Sequence, residues 1–380
     1  MRSVLVVGVA VVLTACSSSS SSLTNATTAA TPTSAAAPAT TAARTSAPAP
    51  TTSATAATVA TTAAAATTAA PTTEATTTIA PPGAVTPPAT IAELLALGRP
   101  IVLAHTGGED QFPGSTLFGY GESAKAGVDM LDLNVMLTAD GVLVVQHDDS
   151  VDRLTNGTGK VADMTYAELS GLDNAYWFTA DGVGTGHPDA AYVYRGIRTG
   201  AKPPPAGYSA DDFAIPRFSD LVARFPGYTL NIEIEGNGAP GAAAATELAK
   251  QLKDLHREDA SVVTSFDDAT VDVFRRLAPN VEITPGLGAS AAWILSGTPL
   301  PDGMRILQLP PKFNGIDVIT PASIAKSHAA GYLIWIWPDD RTLENPASYA
   351  QFLGEGVDGL NINFPAAGVA AVHEVLPTST

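Results

Sequence analysis

From Ile91 onward, short runs rich in aliphatic and β-branched residues alternate with helix-like stretches. That alternation restricts the chain to α/β architectures with a largely parallel sheet, because each parallel strand needs a crossover before the next. The strand-like runs cover residues 101–104, 130–135, 142–146, 229–234, 261–265, 281–284, 304–309, 332–337 and 359–362. They are nine candidates for the eight places of a TIM-type (β/α)8 barrel, whose usual length of about 250 residues this segment matches. Helical stretches over 243–256, 270–277, 321–330 and 346–353 supply crossovers. A doubly wound sheet is the alternative, but no Gly-rich fingerprint follows the first strand to cradle a dinucleotide. Two features depart from the βα rhythm. Asp140-Gly141 between two apolar runs predicts a hairpin. Residues 171–212, rich in Gly, Pro and Tyr and without a period, read as an inserted loop that caps or shapes a site at the barrel's rim.

The residues before this segment are of another kind. Arg2 precedes an apolar run over residues 4–13, the length of a secretory h-region and too short for a membrane-spanning helix. The run ends in Leu13-Thr14-Ala15-Cys16, which resembles the bacterial lipobox, so residues 1–15 are expected to be a lipoprotein signal peptide and Cys16 the lipidated residue. As the only cysteine, Cys16 also excludes a disulfide framework and a Cys-based zinc site. Residues 17–90 are almost entirely Ser, Thr, Ala and Pro, with too few large apolar side chains to offset the entropy of ordering. Residues 16–90 therefore read as a disordered tether, about 50 Å long on average as a flexible coil, leaving residues 91–380 as the folded domain. The expected location is extracytoplasmic, anchored to a bacterial membrane.

Of 20 basic and 37 acidic residues only Arg2, Arg44 and Glu74 precede residue 91, so the folded part is formally −18. Nucleic-acid binding, which relies on Lys and Arg displacing counterions, is excluded as a function class. No protein partner is implied either.

In a barrel the C-terminal ends of the strands converge on one mouth, so polar residues there are the first candidates for a site. His105 follows the first run, Asp132 and Asn134 lie in the second, His147 and Asp148 follow the third, and Glu233 lies in the fourth with Glu235 just after it. Period-two alternation puts Asp132 with Asn134, and Glu233 with Glu235, on one side of their strands. Four oxygen-bearing side chains facing inward suit a hard divalent cation such as Ca²⁺ or Mg²⁺. Two histidines beside such an ion suit general acid and base.

The order of these residues resembles the glycerophosphodiester phosphodiesterases. The matching segments are His105-Thr-Gly107, Pro113-Gly-Ser-Thr116, Gly127-Val-Asp129, Asp132-Leu-Asn-Val135, Thr138-Ala-Asp-Gly141, His147-Asp148 and Arg153-Leu-Thr-Asn-Gly-Thr-Gly159. Glu233-Ile-Glu235, Ser265-Phe266, Trp335-Ile-Trp337 and Gly356-Val-Asp-Gly359 continue the series. The resemblance implies hydrolysis of a small phosphodiester to glycerol 3-phosphate and an alcohol. It makes His105 and His147 the acid/base pair and Asp132, Asn134, Glu233 and Glu235 the residues around the metal, with Thr106 and Trp337 against substrate.

Four positions depart from the family pattern. His-Arg has become His105-Thr106, Pro-Glu has become Pro113-Gly114, Glu-x-Asp has become Asp132-x-Asn134, and Glu-x-Lys has become Glu233-x-Glu235. Two phosphate-facing cations are thereby missing, and Arg153 and Lys202 are the nearest replacements in sequence. Glu109 and Asp110 read as solvated loop acids, His187 and His256 as surface residues, and Trp335 as packing. The competing reading is a barrel that has lost catalysis and serves as an extracytoplasmic ligand-binding module. Hydrolysis of another ester or a sugar by the carboxylates Asp132, Glu233 and Glu235 is a third, with nothing in the spacing to favour it.

Overall fold

The structure, a computed structural model, describes residues 86–376. The expected signal peptide, Cys16 and the linker up to residue 85 lie outside the described residues.

Eight parallel strands follow one another in chain order around a nearly closed barrel. They are β1 (Ile101–Ala104), β2 (Met130–Leu137), β4 (Thr229–Ile234), β5 (Ser261–Thr264), β6 (Glu282–Ile283), β7 (Ile306–Leu309), β8 (Leu333–Ile336) and β9 (Gly359–Ile362). The hydrogen-bonded order β6-β5-β4-β2-β1-β9-β8-β7 runs right round, with the seam between β6 and β7. The ninth candidate, β3 (Leu143–Val145), is not a stave. It returns antiparallel along β2, with Val135 opposite Val145 and Gly141 in the left-handed region at the turn.

Alternation decides which face each side chain takes. Outward residues such as Leu131, Leu133, Leu230 and Ile232 are fully buried under the surrounding helices, each contributing about 1.5–3 kcal/mol of burial. Inward residues in the first half of the strands, Ile101, Met130, Val262, Ile306 and Trp335, form a second apolar cluster joined by Ile91 and Leu94 of helix Ile91–Leu95. Trp335 is wholly buried there, and the close approach of its indole is why its ladder partner is Gly359: a Cβ at that position would lie 2.6 Å from Trp335 Cδ1. Beyond this plug the inward side chains change from apolar to polar.

Local chemistry sets the crossovers. Thr116 caps helix Leu117–Ala126 by accepting the Gly119 N–H at 2.9 Å, and Gly127 in the left-handed conformation ends it. Thr320 with Pro321 and Asn345 with Pro346 start helices Pro321–Ala329 and Pro346–Glu355 in the same way.

Residues 171–212 belong to the long connection between β3 and β4, and their order comes from aromatic packing rather than a backbone period. Phe118 packs on Phe213 and Tyr208, each ring centroid 4.7 Å away, and the Arg195 guanidinium lies 3.5 Å from the Tyr192 ring and 4.2 Å from Tyr176. Asn174 donates to the Ser115 carbonyl at 3.0 Å, fastening the insertion to the loop after β1.

Candidate active site

Register decides which inward side chains meet. Asp132 lies beside Asn231 and Asn134 beside Glu233 across the β2–β4 ladder. Asn231 donates to Asp132 Oδ1 at 2.5 Å and exchanges amide hydrogen bonds of 2.8 and 3.0 Å with Gln308 on β7 across the barrel. One level higher, Asn134 donates to Glu233 Oε2 at 3.2 Å and to Glu235 Oε1 at 2.7 Å, while its own Oδ1 is buried without a partner. Burial pushes the Glu233 carboxyl well above its ordinary range, and the neighbouring Glu235 pushes it further. Asp132 and Glu235 are raised too, chiefly by burial, against the opposing pull of His105 and His147 respectively. Among the described residues no three His, Cys, Asp or Glu side chains already form a metal cluster. The second stripe is a set of carboxylates separated by an amide.

His105 stands directly after β1, in a 3-10 turn whose next residue, Thr106, is buried with φ +44°. A β-branched residue in that region is strained, which marks a backbone held in place by its surroundings. Thr106 N–H points at Asp132 Oδ2, 3.4 Å away, so this strained turn ties the loop after β1 to the carboxylate on β2.

His147 reaches the mouth by a different route from the one strand ends imply. It is carried on the return strand of the hairpin, where the Gln146 N–H donates to the Asn134 carbonyl at 3.0 Å and sets it level with the inward polar residues. The two imidazoles stand edge to face with centroids 5.4 Å apart.

Each imidazole is held through Nδ1. Asn363, after β9, donates its Nδ2 to Asp110 at 2.8 Å, so its Oδ1 can only accept at 2.7 Å from His105 Nδ1. In the neutral ring of His105 that leaves the lone pair on Nε2. His147 Nδ1 donates to Asp148 Oδ1 at 2.8 Å. Burial opposes charge on His147, but that hydrogen bond and the Glu109, Glu235 and Asp148 carboxylates raise it to about 9. The ring nonetheless keeps 36% of its side-chain surface, so a substrate can reach it.

The two partners join behind the histidines. Arg153 donates to Asp148 at 2.5 and 3.2 Å and to Glu109 at 3.1 Å. Arg341 donates to Glu109 at 2.9 Å and to Asp110, completing a circuit of alternating charge that runs from one imidazole to the other. Burial would raise the Glu109 carboxyl, but Arg153, the two imidazoles and Arg341 hold it at about 2.

The expectation that Glu109 and Asp110 are solvated is therefore wrong: both are buried, because two guanidinium groups and an asparagine satisfy them. Arg153 sits at the mouth as an ion-pair partner, whereas Lys202 donates to the Tyr192 and Val193 carbonyls within the insertion. His187 and His256 are exposed. Trp337 lies at the mouth, edge-on to the exposed ring of Phe266 at 5.5 Å, while Trp335 lies in the plug. Reading the sequence missed Arg341, Asn231, Gln308 and Asn363. The amides have no motif, and Arg341 finds its partners 231 and 232 residues away.

Known proteins resemble this chain in both sequence and fold. The model of the glycerophosphoryl diester phosphodiesterase family matches residues 105–367, a span that includes both histidines, all the inward acids and Arg341. A glycerophosphodiester phosphodiesterase of Bacillus altitudinis is 25% identical over 279 residues, covering 72% of this chain and 98% of its own. Among solved structures, a glycerophosphodiester phosphodiesterase from Agrobacterium tumefaciens superposes with a TM-score of 0.51 at 22% identity, over 71% of this chain and 99% of its own. An Oleispira antarctica phosphodiesterase, solved with the product sn-glycerol-3-phosphate, superposes with a TM-score of 0.54 at 19% identity, over 72% of this chain and 97% of its own.

Proposed function

The chain belongs to the glycerophosphoryl diester phosphodiesterase family, and from that premise we propose that it hydrolyses a glycerophosphodiester to sn-glycerol 3-phosphate and an alcohol. The observation that carries this reading is the histidine pair. Two imidazoles 5.4 Å apart, each tied back through Nδ1, present their Nε2 atoms as a proton acceptor and a proton donor. His105 Nε2 takes the proton of the attacking water as its oxygen bonds to phosphorus. His147 Nε2 gives its proton to the alcohol oxygen as the old P–O bond breaks. The partners fit these roles, since His105 leans on a neutral amide and His147 on a carboxylate that favours its charged form.

The inward acids fit a divalent cation, Ca²⁺ or Mg²⁺. The carboxylates of Asp132, which is buried, and of Glu233 and Glu235, which are half-buried beside it, are costly together without a cation or a proton, and the Asn134 carbonyl oxygen has no partner. Asp132, Glu233, Glu235 and Asn134 Oδ1 would hold the ion, with Glu235 adding the charge that Asn134 lacks. When bound it neutralises these acids and the charge growing on the phosphoryl oxygens. Asn231 and Gln308 keep Asp132 turned inward, the Thr106 backbone stays against it, and Trp337 with Phe266 offers an apolar wall to the glycerol or alcohol part.

The deciding experiment is turnover of a glycerophosphodiester panel by the purified full-length chain with Ca²⁺, Mg²⁺ or a chelator. Hydrolysis that the chelator removes is expected. Absence of turnover on every diester with either cation would overturn the reading in favour of a ligand-binding module.

The same reading extends to the cell. Residues 1–15 are removed as a signal peptide, Cys16 is acylated, and the tract to residue 90 tethers the barrel domain outside the cytoplasm, with the Leu13–Cys16 match as its support. Cys16→Ser is expected to move the protein from the membrane to the soluble fraction, and unchanged partitioning would refute the anchor.

A further inference from the structure

The positions where the family pattern carries phosphate-facing cations are Thr106 and Glu235, yet a phosphodiester anion still has to enter a mouth lined by Asp132, Glu233 and Glu235. A divalent cation would offset those acids, but the hydrogen bonds that the two lost cations would have made to phosphate still need a donor from elsewhere in the fold. Two guanidinium groups are linked to the histidine pair through Asp148 and through Asp110 with Asn363, and their hydrogen bonds distinguish them. A guanidinium has five N–H donors. Arg153 engages four of them with Asp148 and Glu109 and is closed off as an ion-pair partner. Arg341 engages only two, one to Asp110 and one to Glu109, and keeps 53% of its side-chain surface.

Arg341 is also well placed to act repeatedly from one position. It opens the short 3-10 turn Arg341–Leu343 on the loop that follows β8, four residues beyond Trp337. Asp340 fixes the start of that turn by accepting the Thr342 N–H at 2.9 Å. Two buried carboxylates then hold the planar group, which reduces the entropy lost when it grips a ligand. The insertion closes over the contact, since a Cβ at Gly182 would lie 3.1 Å from Asp110 Oδ1 and 3.9 Å from Arg341 Nη1.

We propose that Arg341 supplies the phosphate contact missing at Thr106 and Glu235, its free N–H donors gripping a non-bridging oxygen of the phosphodiester. Glu109 and Asp110 position the guanidinium, and Asn363 links Asp110 to His105, so anion binding and the proton-accepting histidine share one support. This rests on the phosphodiesterase reading, and its test is separable from that reading because it measures binding. Calorimetric titration of the full-length chain with sn-glycerol 3-phosphate in the presence of Ca²⁺ is expected to weaken about 10- to 100-fold in Arg341→Gln and less in Arg341→Lys. Diester turnover in the same variants should lose chiefly in KM. Should Arg341→Gln fail to fold, the wild type decides: sn-glycerol 3-phosphate should shield Arg341, but not the exposed Arg224, from phenylglyoxal, as read by peptide mass mapping. Folded variants that bind as tightly as the wild type, a wild type that binds neither sn-glycerol 3-phosphate nor inorganic phosphate, or an Arg341 left reactive under saturating ligand would each overturn the assignment. A wild type that binds but never hydrolyses overturns the phosphodiesterase reading alone.

Discussion

His147→Ala is expected to lower glycerophosphodiester turnover by about 100- to 10,000-fold, and His105→Ala by a similar factor, because in the proposed mechanism each would remove one of two proton transfers. Melting curves read above about pH 9, where the charge pairing of His147 is gone, should change little in comparison, since both rings stand at the mouth and His147 is partly exposed. A pH profile then tells the two histidines apart. The proton that His147 would donate as the proposed acid is held below about 9 and lost above it, so the alkaline limb of turnover belongs near that value. Asp148→Asn removes the hydrogen-bonded carboxylate that raises His147, and the limb should move down toward the ordinary 6.5. An alkaline limb that stays put in Asp148→Asn would take the acid role away from His147.

The same groups set where the cluster stabilises the fold. His147 is raised on folding, so its contribution is complete below 6.5 and disappears as pH rises through about 9. Glu109 is depressed on folding, so its contribution is complete above 4.5 and disappears as pH falls toward about 2. The two windows overlap between 4.5 and 6.5, where this part of the molecule is tightest.

Gly114→Glu, which restores the residue of the family pattern, is expected to destabilise the protein strongly rather than improve it. A Cβ at Gly114 would lie 2.7 Å from the Cβ of Glu109 and 3.0 Å from Thr106 Oγ1. The space above Gly114 is already filled by the side chain that pairs with Arg153 and Arg341. Gly114→Ala should cost about 1–3 kcal/mol of overpacking. The glutamate adds a second carboxylate beside one that is already buried, so a larger loss follows. Exchanging the two residues, Glu109→Gly with Gly114→Glu, removes the clash and returns one carboxylate to the same neighbourhood. A double-mutant cycle read by thermal melts should therefore show the exchange markedly more stable than Gly114→Glu alone. Additive losses would mean that Glu109 and Gly114 are independent, and that the missing family glutamate is not compensated from position 109.

These two experiments bear on what a linear reading can see. The barrel was legible because its signals are local. Each strand is a short run rich in apolar residues, several crossover helices start at a capping residue or a proline, and the period of two turns Asp132, Asn134, Glu233 and Glu235 to one side of their strands. The order of the short motifs then pointed to the family whose model spans residues 105–367. Even the hairpin was marked by Asp140-Gly141. Its consequence was not, since only the pairing of β3 back along β2 shows that His147 comes to the mouth from outside the ring of staves.

What tertiary structure alone decided is the charge circuit behind the histidines. Glu109 and Asp110 have the look of solvated loop acids until Arg153, 44 residues on, and Arg341, more than 230 residues on, are folded against them. Burial of a charge depends on a partner at about 3 Å. No local pattern records which distant residue will stand there. The amides Asn231, Gln308 and Asn363 follow the same logic, having no motif in sequence and becoming supports only when the barrel brings Asn231 to Asp132, Gln308 to Asn231 and Asn363 to His105. The sequence determined the barrel and singled out His105 and His147 as candidates, because both follow from the order and spacing of motifs along the chain. The partners that set their protonation, and the guanidinium left with donors to spare, follow from distances across the barrel's mouth.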